Sequence, residues 1–309
     1  MTRLNNFLPA PRHIYFALAL LLFGIMAPAA QAVDFLFQDT NFESGYTLGQ
    51  LTNDATGTTA GQNGWLTYTT GTGGAANWNI AADPVSGGTH GNVLKTQAGN
   101  TNSGNSATRN AWTNDVANNI GSNPATNDVF QVTYDFYMGG TSSTSTNRYG
   151  LYLYDSTGTK ILAGASMQNN TGQFYLYSYY NNAGTLGNFS FSTGLGTGAN
   201  PPVLSRNTWY TFSVTFNKTT GRVLAGFSTD GGTNFTSFFV DGAAAGTNPG
   251  ELDLVASVNA AAAGTSTLGY YDNIHMISTS IAVPEPSTYA MGGLCALILG
   301  TIAKRRKAA

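Results

Sequence analysis

Apolar and polar residues alternate with period two through most of the chain. The clearest run is Val129-Phe130-Gln131-Val132-Thr133-Tyr134-Asp135-Phe136-Tyr137-Met138. Successive side chains of a strand point to opposite faces, so such a run makes one apolar face and one polar face. The same pattern predicts strands over Tyr149–Tyr154, Ile161–Met167, Gln173–Tyr180, Trp209–Phe216, Arg222–Thr229, Phe235–Val240, Leu252–Val258 and Leu268–Ile277. Weaker alternation marks Phe35–Gln38, Gly64–Thr67, Trp78–Ala81 and Val93–Gln97. Turn clusters lie between them: Asp155-Ser156-Thr157-Gly158, Asn169-Asn170-Thr171-Gly172, Asn217-Lys218-Thr219-Thr220-Gly221 and Thr229-Asp230-Gly231-Gly232. Asn, Asp and Gly tolerate the positive φ that tight returns require. No part of this region has a convincing helical period. Short strands at this spacing predict an all-β fold, an antiparallel two-sheet sandwich.

Both ends break the alternation. At the N-terminus, Arg3, Arg12 and His13 precede an apolar run from Ile14 to Met26, and Ala30-Gln31-Ala32 follows. A basic start, a short apolar stretch and a small-x-small site form a secretory signal, with cleavage expected after Ala32. The run is shorter than the roughly 20 residues a spanning helix needs. At the C-terminus come Val283-Pro284-Glu285-Pro286-Ser287, an apolar stretch from Thr288 to Ala303, and the cations Lys304, Arg305, Arg306 and Lys307. The prolines hold an extended segment, the apolar stretch suits a short transmembrane helix, and the cations should stay cytoplasmic. The organisation predicted is a signal peptide with its helix over 1–32, a β-sandwich over 33–280, and a sorting tail over 281–309. The Sec translocon and signal peptidase are the partners expected at the first step.

Composition narrows the function of the middle. Only 9% of the chain is charged, Gly numbers 38, and aromatics reach 12%. Disordered chains combine low hydrophobicity with high net charge, which this one does not. Between Val33 and Val283 there are 7 Lys/Arg and 14 Asp/Glu, a net charge of −7. Its cations are scattered singly, which argues against nucleic acid as a partner. The sole cysteine, Cys295, is in the tail, so the body has no disulfide and no thiolate metal site.

The tripartite C-terminus, with Pro284-Glu285-Pro286 at its head, resembles the PEP-CTERM sorting signal of Gram-negative bacteria. That resemblance implies recognition by an exosortase, an integral membrane cysteine peptidase. The implied route runs through an inner-membrane intermediate to the cell surface or extracellular matrix of a bacterium making exopolysaccharide. Within the body, Asp39-Thr40-Asn41-Phe42-Glu43 with Gly64-Trp65 resembles the opening of concanavalin A-like, laminin-G-like jelly rolls. Asn207 to Phe216 is similar to their central strand and Leu268-Gly269-Tyr270-Tyr271-Asp272-Asn273-Ile274 to their closing one. The resemblance implies that the first and last strands lie side by side.

Candidate chemistry is sparse. Some glucanases of this fold carry Glu-x-Asp-x-x-Glu on one strand; here Glu251-Leu252-Asp253 begins the motif, but Ala256 stands where the second Glu belongs. Retaining hydrolysis needs that second carboxyl, so Glu251 is expected to be a solvated strand start. His90 and His275 have no catalytic partner in sequence, and no nucleophile elbow is present. Calcium is the one cofactor considered, at Asp39 and Asp272 if the terminal strands pair. For sugar stacking the candidates are Trp78, Trp112, Tyr175, Tyr177 and Tyr179, against a competing reading of the tyrosines as core or half-exposed sheet. Trp65 and Trp209 are assigned to the core. The expected function is a non-enzymatic structural or adhesive role in the envelope, linked to exopolysaccharide. A lectin-like module is the alternative, and a diverged glycosidase the weakest.

Overall fold

The computed structural model describes residues 34–70, 78–97, 107–140, 146–192, 203–258 and 267–280. Its first strands are β1 (Phe35–Thr40), β2 (Gly49–Gln50), β3 (Leu66–Thr69), β4 (Trp78–Ala82), β5 (Asn92–Gln97) and β6 (Ala107–Trp112). A single-turn helix, α1 (Asp115–Asn119), precedes the long strand β7 (Asn127–Gly140). Then follow β8 (Arg148–Asp155), β9 (Ile161–Gln168), β10 (Phe174–Asn182), β11 (Thr185–Phe191) and β12 (Trp209–Asn217). The last are β13 (Arg222–Ser228), β14 (Thr236–Asp241), β15 (Pro249–Val258) and β16 (Thr267–Ser280).

These form two antiparallel sheets in a jelly-roll sandwich. A nine-stranded sheet runs β14-β13-β12-β7-β16-β5-β4-β2, with β1 also on β16. A seven-stranded sheet runs β11-β10-β9-β8-β15-β6-β3. The first and last strands are neighbours, as expected: Phe35 faces Ser278 and Thr40 faces Ile274. β5 takes the other half of the same edge, pairing Leu268 to Tyr271. The register shift against β7 falls between Asp272 and His275, where Asn273 adopts φ 47°. An extra residue there bends the strand and redirects the side chains around it.

The inner faces interdigitate around Trp65, Trp78, Tyr134, Phe136, Tyr149, Phe174, Phe212 and Tyr271, all essentially buried. Polar tips inside this core are satisfied across the sandwich. Tyr134 Oη donates to the Ala165 carbonyl at 3.1 Å and Tyr271 Oη to the Val255 carbonyl at 2.9 Å. Each bond ties the nine-stranded sheet to the seven-stranded one and avoids the cost of an unpaired buried hydroxyl.

The thirteen strands expected from alternation all occur. β2, β6, β11 and α1 are additions. In β6 the inward positions hold Arg109 and Ala111, so alternation gave no apolar face. Arg109 is buried and donates through Nη1 to the Gln97 carbonyl. β11 follows a two-residue turn at Ala183 (φ 50°) and Gly184 (φ 91°), the paired positive φ of a hairpin return. Among the described residues no helix is long and apolar enough to cross a membrane. The signal and tail segments, with Ala30, Ala32, Val283 to Ser287 and Lys304 to Lys307, lie outside the described residues.

Candidate functional site

Cross-strand partners share a face, so register fixes what the seven-stranded sheet turns outward. Across one row lie Ser190 (β11), Tyr177 (β10), Gly164 (β9), Tyr152 (β8) and Asp253 (β15). The next row holds Tyr175, Ser166, Gly150, Val255, Asn110 and Tyr68. Alternation adds Arg148 and Tyr154 on β8, Glu251 on β15, Trp112 on β6 and Tyr179 on β10.

At the centre of this face the tyrosines pack on each other. Tyr152 and Tyr177 have ring centroids 4.5 Å apart, meeting above Gly164, where a Cβ would come within 2.8 Å of the Tyr152 ring. With Ile161, Tyr175 and Val255 they form a small second core on the outside of the sheet. Tyr175 and Tyr177 are accordingly only 9% and 7% exposed, a floor and not a bare stacking surface. On this face Trp112 and Tyr154 are half-buried and Tyr68 is 45% exposed, while Tyr179, also half-buried, packs against the main core. The Trp112 ring is backed by the loop at Gly57, where a Cβ would lie 2.8 Å from it and φ is +76°. Only glycine fits that approach.

Polar groups flank the aromatics. The Arg148 guanidinium lies 3.7 Å over the Tyr175 ring. Its Nη1 donates to Tyr177 Oη and Ser190 Oγ, both at 3.1 Å, and its Nε to Gln168 Oε1 at 3.2 Å. On β15, Asp253 is 1% exposed and accepts a bond from Asn110 Nδ2 at 2.5 Å. Burial, then the charge of Glu251, pushes its carboxyl well above the ordinary carboxylate range. Burial, then the same two carboxyls, also raises Tyr154. Sequence alone suggested a solvated strand start at Glu251, which is partly exposed; Asp253, two residues on, is desolvated. Val255 shares the face and Ala256 points into the core, so β15 supplies no further carboxyl.

The other sequence candidates separate. Trp78 is 0% exposed and packs near Tyr271 in the main core, which removes it from any glycan surface. Trp209 corrects in the opposite sense: it lies on the outer face of the nine-stranded sheet, half-buried, stacked on His90 with centroids 3.9 Å apart. The loop between β4 and β5 delivers that histidine. His90 Nε2 is 3.3 Å from Asp135 Oδ2 and Nδ1 is 3.6 Å from Asp83 Oδ2, while Trp209 Nε1 donates to Asp83 Oδ1 at 3.3 Å. Asp135 also accepts from Thr211 Oγ1 at 2.6 Å and Asn273 Nδ2 at 2.8 Å. These partners converge only in the fold, and together they latch the loop to the sheet.

Asp39 and Asp272 are not brought together. Asp39 faces His275, with Oδ1 3.3 Å from Nδ1, whereas Asp272 stands opposite Asp135. Asp272 is 2% exposed, and burial, followed by the charges of Asp135, Glu43 and Asp83, pushes it up to about 8. Among the described residues no group of three or more His, Cys, Asp or Glu side chains is arranged to hold a metal ion.

No family model and no curated protein matches the chain. Solved structures resemble it at low identity. A protein of unknown function from Shewanella oneidensis MR-1 is 17% identical, with 91% of this chain and 98% of that one covered and a TM-score of 0.43. The CBM2 module of an evolved Dit protein of Lactobacillus casei BL23 phage J-1 is 11% identical over 82% and 99%, at 0.45. The lectin UEA-II in complex with galactose is 9% identical over 81% and 99%, at 0.40. At such scores none of these likenesses bears on function.

Proposed function

We propose that this chain is an exported, non-catalytic polysaccharide-binding protein of the bacterial envelope or extracellular matrix. The glycan lies on the outer face of the seven-stranded sheet. The observation that carries this is the set of part-exposed aromatics Tyr68, Trp112 and Tyr154 on the same face as a packed tyrosine floor, with Arg148, Asn110 and Glu251 as polar partners. Aromatic faces bind the apolar side of sugar rings, and a rigid floor lowers the entropy lost on binding. Asp253 is buried, and Val255 and Ala256 stand where a further carboxyl would follow, so Glu251 has no accessible acid partner on its strand, which supports binding without hydrolysis.

Export and sorting rest on the two ends of the sequence: cleavage after Ala32, and release or transfer at Val283-Pro284-Glu285-Pro286-Ser287 by an exosortase. Mature termini determined with and without the exosortase test that part. For the glycan site, affinity electrophoresis of the full chain on a polysaccharide panel is the test. The double variant Trp112→Ala/Tyr154→Ala is expected to lose about tenfold in affinity, at about 1 kcal/mol or less per ring. An unchanged affinity in a folded double variant would place the glycan elsewhere.

A further inference from the structure

We propose that Arg148 is the recognition point for a carboxylate-bearing sugar, so that the glycan held on this face is an acidic polysaccharide of the hexuronate class. The inference rests on the glycan-binding reading above. Three donor contacts and a stacking contact fix the guanidinium, and each partner is neutral: Gln168, Tyr177, Ser190 and the Tyr175 ring. Among the described residues its Nη2 has no hydrogen-bond partner and no carboxylate pairs with the group. Arg222 and Lys218, by contrast, are paired, lying 3.7 Å from Asp241 and 3.7 Å from Asp128. A half-buried cation without a counter-ion, pre-oriented by neutral groups, gains most from an anion that replaces water at its free edge. A planar carboxylate suits that edge, and Tyr175 beneath holds the fork in one plane.

Arg148 also sits where repulsion is weakest. It faces Ser257 at one end of β15, whereas Asp253 and Glu251 lie toward the other. Four residues of strand put about 13 Å between Ser257 and Asp253, at roughly 3.3 Å each. That exceeds the Debye length of about 8 Å at physiological salt, so the acid pair does not cancel a direct contact.

Polygalacturonate and its fully methyl-esterified form share one backbone and differ only in the carboxylate. The full chain in detergent is expected to bind the free acid about tenfold or more tightly than the ester. Arg148→Gln should erase that preference, bringing the two affinities within about twofold of each other whatever the variant loses toward both polymers. Arg148→Lys, which keeps the charge and loses the fork, should retain a weaker preference that disappears as salt rises to about 0.5 M. Should the Gln variant melt early, the lysine variant alone decides. Equal affinity for both polymers in the wild type, or a full preference in folded Arg148→Gln, would overturn the proposal and leave glycan binding standing. Failure of the wild type to bind these polymers or any neutral polysaccharide would instead remove the glycan-binding reading, and this inference with it.

Discussion

Alanine at Gly150 is expected to destabilise the fold by at least about 3 kcal/mol, lowering the melting temperature by about 6–12 °C. Gly150 lies at the middle of β8, between Ser166 on β9 and Val255 on β15. A Cβ there would stand 2.0 Å from the Ala165 carbonyl oxygen and 2.6 Å from the Ser166 Cα. Both are backbone atoms of a strand paired on each side, so neither can swing away, and the ladder must open. Gly164 offers an instructive contrast. Its added methyl would meet the Tyr152 ring at 2.8 Å, but also the Leu151 carbonyl oxygen at 2.9 Å. Part of that strain is relieved by turning the ring, so Gly164→Ala is expected to cost less stability and to disturb the Tyr152/Tyr177 contact instead. Denaturant and thermal melts of both variants distinguish the two effects. A Gly150→Ala protein melting within about 1 °C of wild type would mean that β8 and β9 are not in this register at the centre of the candidate site.

Alternation found the sandwich because its central strands, β7 and β12, are half-buried and keep their apolar side chains on one parity. It failed where one parity was not apolar: β6 buries an arginine, and β11 is an edge strand with mostly polar or exposed positions. The candidate face was only partly legible. Tyr175 and Tyr177 could be placed on one side of β10, but whether that side faced inward depends on Phe174 and Leu176 filling the core, which sequence leaves open. Tyr152, Tyr154 and Arg148 carried a usable signal: Gly150 beside Arg148 on one parity of β8 marks the outward side, against Tyr149, Leu151 and Leu153 inward. Trp78 and Trp209 exchange surface and core against expectation: Trp78 lies in a short strand with little parity to place it, whereas Trp209 stands on the polar parity of β12, opposite Tyr210, Phe212, Val214 and Phe216, a signal outweighed by its size. The Asp253 carboxyl and the His90 latch depend on partners from β6, β7 and β12, distant in sequence, and no local pattern encodes them.

Asp272→Asn is expected to stabilise the protein at pH 7.5 by about 2–3 kcal/mol and to leave it nearly unchanged at pH 4. Burial is the main cause of the raised carboxyl, and Asp135 directly across β7, with Glu43 and Asp83 from the adjoining loops, adds to it. The backbone N–H of Asn273 opposes the shift but does not reverse it. With the folded value at about 8, the native state keeps a proton that the unfolded chain, titrating near 3.9, has already released. Native protein thus binds more protons between those limits, and stability falls as pH rises across the window. About four units correspond to a ceiling of about 5 kcal/mol; residual solvent contact brings the expectation to about half. Asparagine keeps the shape and removes the ionisation, so the difference between variant and wild type should grow from pH 4 to pH 8 and then level off. Asp253, raised in the same sense, slopes equally in both proteins and cancels from the difference. Asp54 and Asp230, held below the ordinary range by hydroxyl and backbone N–H donors, act only at lower pH and with the opposite sign. Urea melts from pH 4 to pH 9 measure the difference directly. A gap between the two proteins that shrinks with rising pH would mean that Asp272 is ionised in the native state, stabilised there by a cation.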